Sequence, residues 1–161
     1  MPFRRLALLI LLAILVPIQP AAADPVEDFY RGRTVTLAVG TRLPAFHTSL
    51  GRVQLGFLDD GELWCRLRSL RIEAYTPQTI TDLQALFDRI RTDRAQRFSI
   101  VDEELERGLR ALAVPVLDRS GQAVGAINLS THSTRTTRNA MREHFLPELN
   151  RIADQVSSTT V

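Results

Sequence analysis

The sequence predicts a mixed α/β (α+β) domain, and three observations carry that expectation. Apolar residues recur at helical spacing at Leu83, Leu86, Phe87 and Ile90 and again at Met141, Phe145, Leu149, Ile152 and Val156. Two apolar, partly β-branched runs, 109–117 and 123–130, are separated by Asp118-Arg119-Ser120-Gly121, which is turn chemistry for an antiparallel hairpin. A chain of 161 residues, 45% hydrophobic and 24% charged, has the size and composition to bury one core.

The first residues read differently. Arg4-Arg5, an apolar run over 6–16 and Ala21-Ala22-Ala23 before Asp24 have the layout of a secretory signal peptide spanning 1–23, with a buried N-terminal helix as the competing reading. The run is too short for a membrane span, which needs about 20 residues, so no stable membrane anchor is expected after cleavage. Over 33–39 the alternation of Val35, Leu37 and Val39 predicts a strand ended by Gly40. Thr48 or Ser49 is placed to cap a helix carrying Leu50, Val53 and Phe57, and Asp59 or Asp60 one carrying Leu63, Trp64 and Leu67. Thr81 with Gln84 reads as a capping box for a helix over 81–93. Residues 98–101 read as a short strand, and Asp102-Glu103-Glu104 with Glu106 as a solvated acidic turn. Pro115 lacks a ladder donor and calls for an edge position, and Pro147 predicts a kink in the last helix. Residues 157–161 read as a disordered tail.

Composition narrows the function classes. All 20 basic residues are Arg, and Arg4 and Arg5 account for the whole surplus of +2. The rest of the chain therefore lacks the electrostatic footprint of a nucleic-acid binder, and no direct DNA binding by this chain alone is expected. The lone Cys65 has no internal disulfide partner and is expected as a packed thiol on its helix. His47, His132 and His144 show no metal-ligand spacing, and no phosphate loop or nucleophile elbow occurs, so neither a cofactor nor an enzymatic centre is expected.

Three segments in order, GTRLPAFHTSLGRV at 40–53, FSIVDEELERGLRALAVPV at 98–116 and AVGAINLSTHS at 123–133, resemble the effector-binding domain of IclR-type transcription regulators. Within that family RLPA, TS-x-GR and FLPEL resemble the branch regulating catabolism of protocatechuate and 4-hydroxybenzoate. The resemblance implies a GAF-like effector-binding domain with a curved antiparallel sheet over 39–156, truncated at its N-terminal strands, and the exposed edge left by that truncation predicts self-association. It also implies a pocket for a small aromatic carboxylate effector formed by Ser49, Leu50, Val101, Asp102, Ala111, Asn128 and Ser130. Arg42 and Arg110 are candidates to meet the carboxylate through a bidentate guanidinium. Where related regulators carry Cys or Ser this chain has Ala111, and Val101 stands where some have Asp, which suits an aromatic ring better than a two-carbon acid.

Residues 24–38, by contrast, resemble the start of mature solute-binding receptors of tripartite tricarboxylate transporters. The join reads as a natural fusion or a mis-assembled frame, and the expected location is periplasmic or secreted, or cytoplasmic if the leader is an artefact of fusion. The alternative function is an exported solute-binding or interaction protein.

Overall fold

The computed structural model describes residues 43–159. The leader at 1–23, the receptor-like segment at 24–38 with the strand expected over 33–39, and Arg42 lie outside the described residues.

A 3-10 turn, Ala45–His47, leads into helix α1, Ser49–Leu55, and helix α2 follows at Asp60–Arg68. Thr48 caps α1 by accepting a hydrogen bond from the Gly51 amide at 3.1 Å, and Asp59 caps α2 by accepting from Glu62 at 2.8 Å, as the short polar residues at these positions predict. Helix α3 spans Leu83–Gln96. Its cap is Asp82, which accepts from the Ala85 amide at 2.7 Å. The expected box on Thr81 does not form. A carboxylate at the cap is favoured by the helix dipole over a hydroxyl one residue earlier, and Gln84 turns outward to Asp88.

The sheet is antiparallel with order β1-β2-β3, from Ser99–Asp102, Leu109–Leu117 and Ala123–His132. Pro115 lies in the central strand. β1 covers only Arg110 to Ala113, so at Pro115 the sole strand neighbour of β2 among the described residues is β3, and the position is locally an edge. The hairpin turn is held by the Asp118 side chain, which accepts from the Ser120 and Gln122 amides, with Gly121 at φ +82.

The chain closes with α4, Arg138–Ala140, a π turn at Met141–Phe145 and α5, Leu146–Thr159. The distortion expected at Pro147 takes the form of this π turn. The Leu146 amide reaches back five residues to the Met141 carbonyl, widening the helix where the proline ring would press on the preceding turn. The helix runs through Thr159, past the start of the expected tail, and Ser157 Oγ accepts from the Leu117 amide at the β2 bulge.

Two apolar clusters flank the sheet. On one side Ile100, Leu112, Val114 and Val116 pack with Met141, Leu149 and Ala153. On the helical side Phe46, Leu55, Leu63, Leu67, Leu86 and Ile90 form the second cluster. Cys65 is exposed rather than packed. Leu63 and Leu67, four apart, are fully buried, and at 100° per residue the position midway between them faces away. No helix among the described residues is long and apolar enough to cross a membrane.

Candidate ligand-binding site

Period two along the strands divides the expected site residues between the two sheet faces. Val101 pairs with Ala111 and Ala111 with Ser130, while Ala113 pairs with Asn128, so these side chains share one face. Ile100, Leu112 and Val114 take the other face, against α5. Helix α1 therefore lies over the Val101 and Ala111 face, in contact with all three strands. The small Ala111 and Ala113 side chains let it come close.

Ser49, the first residue of α1, is 1% exposed, and Leu50 is half-buried beside it. Val101 and Ala111 are buried beneath, whereas Asn128 and Ser130 are exposed on β3 and hydrogen-bonded to each other at 3.3 Å. The structure thus sets helix α1, whose first residue is the buried Ser49, against a sheet face that carries the buried Val101 and Ala111 and the exposed Asn128 and Ser130. Asp102 does not join them. It faces the opposite side, where Arg110 donates to it from Nε at 2.7 Å and Nη2 at 2.9 Å. The remaining nitrogen of Arg110 donates to the Ser133 and Thr136 carbonyls, so this guanidinium is committed to tying β1, β2 and the chain after β3 together rather than to a carboxylate ligand.

The acidic run is not a solvated turn either. Glu104 is 7% exposed and Arg52 fully buried, and the two make a bidentate pair at 2.7 and 2.5 Å. Arg52 Nε also donates to the Phe46 carbonyl at 2.7 Å. Thr76 and Thr79 donate to the Glu103 and Glu104 carbonyls, each at 2.6 Å, which fastens the 75–80 segment over the same corner. A carboxylate can be buried here because a charge partner and several hydrogen bonds compensate its lost hydration.

His47 was not singled out by sequence. It is 3% exposed, and the Tyr75 ring meets it edge-on with centroids 5.5 Å apart. Among the described residues, His47 Nδ1 and Ser49 Oγ are buried without a hydrogen-bond partner. Burial, aided by the Arg52 guanidinium and opposed by Glu104, holds the imidazole below its ordinary value of 6.5. Unfolded, His47 takes up a proton near 6.5, and folded it does so only at lower pH. The unfolded state therefore binds more protons in that window, so this contribution to stability is complete above pH 6.5 and is lost as the pH falls below it. Urea midpoints at pH 7.5 and 5.5 should show the loss in the wild type and a smaller one in His47→Phe; equal pH dependence in both would contradict the assignment.

A separate groove of about 230 Å³, lined by Ala45, Gly51, Gln54, Leu55, Leu58 and Arg66, opens on another flank of α1 and contains none of the expected site residues. No group of three or more His, Cys, Asp or Glu side chains able to hold a metal occurs among the described residues.

This geometry has close counterparts. A family model described as the bacterial transcriptional regulator IclR C-terminal domain matches residues 4–158. The chain belongs to the IclR family. The Pca regulon regulatory protein of Pseudomonas putida is 47% identical over 116 residues, covering 72% of this chain and 40% of that protein. The p-hydroxybenzoate hydroxylase transcriptional activator of Acinetobacter baylyi is 31% identical over 132 residues, covering 82% of this chain and 49% of the relative. The chain thus spans less than half the length of these two IclR relatives. Among solved structures, a double mutant of the PobR inducer-binding domain from Acinetobacter, in complex with 3-hydroxybenzoic acid, superposes with a TM-score of 0.73 at 30% identity, covering 78% of this chain and 74% of that one. These IclR relatives are transcriptional regulators, and their effector-binding domain is the part that this chain shares.

Proposed function

We propose that this chain senses a small aromatic carboxylate for an IclR-type regulator, binding it between the start of α1 and the sheet face formed by Val101, Ala111, Asn128 and Ser130. The observation that carries this reading is the Ser49 hydroxyl, buried and unpartnered among the described residues, at the start of the helix that packs on this sheet face. A small-ligand site needs this make-up, mostly apolar walls with a few placed polar groups. An aromatic ring fits a floor of Val and Ala, and the names of the relatives, with the 3-hydroxybenzoic acid in the PobR complex, point to the same chemistry.

A thermal-shift series tests it. Protocatechuate or 4-hydroxybenzoate at 100 times its dissociation constant should stabilise the chain by about 2.7 kcal/mol, while acetate and glyoxylate leave it unchanged. Ser49→Ala should weaken the aromatic response, and Asn128→Leu should do so without unfolding the chain, because the other face of β3 carries the packing. A response to no aromatic acid, or an undiminished one in both variants, would show the pocket to be wrongly assigned.

A further inference from the structure

Of the two unpartnered buried groups, only Ser49 Oγ is used by a ligand carboxylate alone. His47 Nδ1 belongs to the residue two earlier, at the end of the 3-10 turn that leads into α1, and is also withdrawn from water. Leaving such a nitrogen unpaired is costly, and groups of this kind are completed by a water, an ion or a ligand. What completes it is constrained by its neighbours. The Tyr75 ring packs edge-on against the imidazole, with the ring planes 66° apart. The charged groups that bear on it are Arg52 from α1 and Glu104 from the turn after β1, and these two neutralise each other in a bidentate pair. Among the described residues that bear on it, the one carboxylate is thus already paired. A neutral ring nitrogen pairs with a hydroxyl in either tautomer, as donor or acceptor, whereas only its N–H tautomer can meet a carboxylate.

We propose that His47 is a specificity-determining residue that reads a ring hydroxyl of the ligand, its Nδ1 hydrogen-bonding to the phenolic oxygen while Ser49 Oγ donates to the carboxylate. The inference rests on the reading of this site as an aromatic-acid site and adds to it the group that selects hydroxylated acids over unsubstituted ones. A site built around a buried hydrogen-bonding group rejects the analogue lacking the partner, because that group is then left unsatisfied.

Isothermal titration of the full chain with benzoate, 3-hydroxybenzoate, 4-hydroxybenzoate and protocatechuate provides the test. At least one hydroxylated acid should bind about tenfold or more tightly than benzoate, a difference of about 1.4 kcal/mol. In His47→Phe, which keeps a ring against Tyr75, that ratio should fall to about one, and His47→Gln, which restores a polar atom, should recover part of it. A wild-type chain that binds benzoate as tightly as every hydroxylated acid overturns the role of His47 while leaving the aromatic-acid site standing, and this comparison needs no variant to fold. A ratio undiminished in His47→Phe overturns it as well. If no aromatic acid binds the wild type, both the role and the site it rests on fall.

Discussion

Glu104→Ala is expected to cost about 3–5 kcal/mol of folding stability, the range found when one partner of a buried ion pair is removed. Arg52 is fully buried, and two of its nitrogens are saturated by the Glu104 carboxylate. Without it a guanidinium would sit in the interior with the Phe46 carbonyl as its one remaining acceptor among the described residues. The Ile80 amide, 3.4 Å from Glu104 Oε2, would lose its acceptor too. The loss is specific to the stranded charge, so Arg52→Met combined with Glu104→Leu should regain most of it. Urea denaturation of the single and double variants measures both effects. A single variant within about 1 kcal/mol of the wild type would mean that the pair does not hold α1 to the turn after β1.

Gly51→Ala should be damaging as well, and its direction is informative. In an ordinary helix interior, Gly to Ala gains about 1 kcal/mol from propensity. Here a Cβ at position 51 would lie 2.2 Å from the Ala45 carbonyl oxygen and 2.5 Å from its Cα, and neither backbone atom is free to swing aside. The 3-10 turn must move off α1, carrying His47 with it. Overpacking of this kind costs roughly 1–3 kcal/mol or more, which outweighs the propensity gain, and the aromatic-acid response should go with it. Gly61→Ala is the matched control, since its Cβ would meet only the Asp59 carboxylate at 3.2 Å. If Gly51→Ala were as stable and as responsive as Gly61→Ala, the close approach of turn and helix would be disproved.

The sequence by itself determined whatever is settled within a few residues. Thr48 and Asp59 announce their helices because a cap bonds an amide only three positions on, and Asp118 to Gly121 announces the hairpin because its hydrogen bonds close inside the turn. Strand alternation placed Asn128 and Ser130 on the face opposite Ile127 and Leu129, since that period is a property of the backbone. The strain expected at Pro147 was legible for the same reason, though its resolution as a π turn over Met141–Phe145 was not.

Only the tertiary structure decided which polar groups are consumed and which remain. Arg52 and Glu104 are 52 residues apart, and nothing local distinguishes them from the solvated Arg and Glu around them. Asp102 and Arg110 have the residue types of a ligand site, but antiparallel register sets them opposite each other on the α5 side, where they neutralise one another. Once those pairs form, the buried side-chain nitrogen and oxygen atoms left over among the described residues are His47 Nδ1 and Ser49 Oγ, one of which carried no signal in the sequence. Whether a side chain is available to a ligand depends on the partners the fold has already supplied to it, and those partners come from distant parts of the chain.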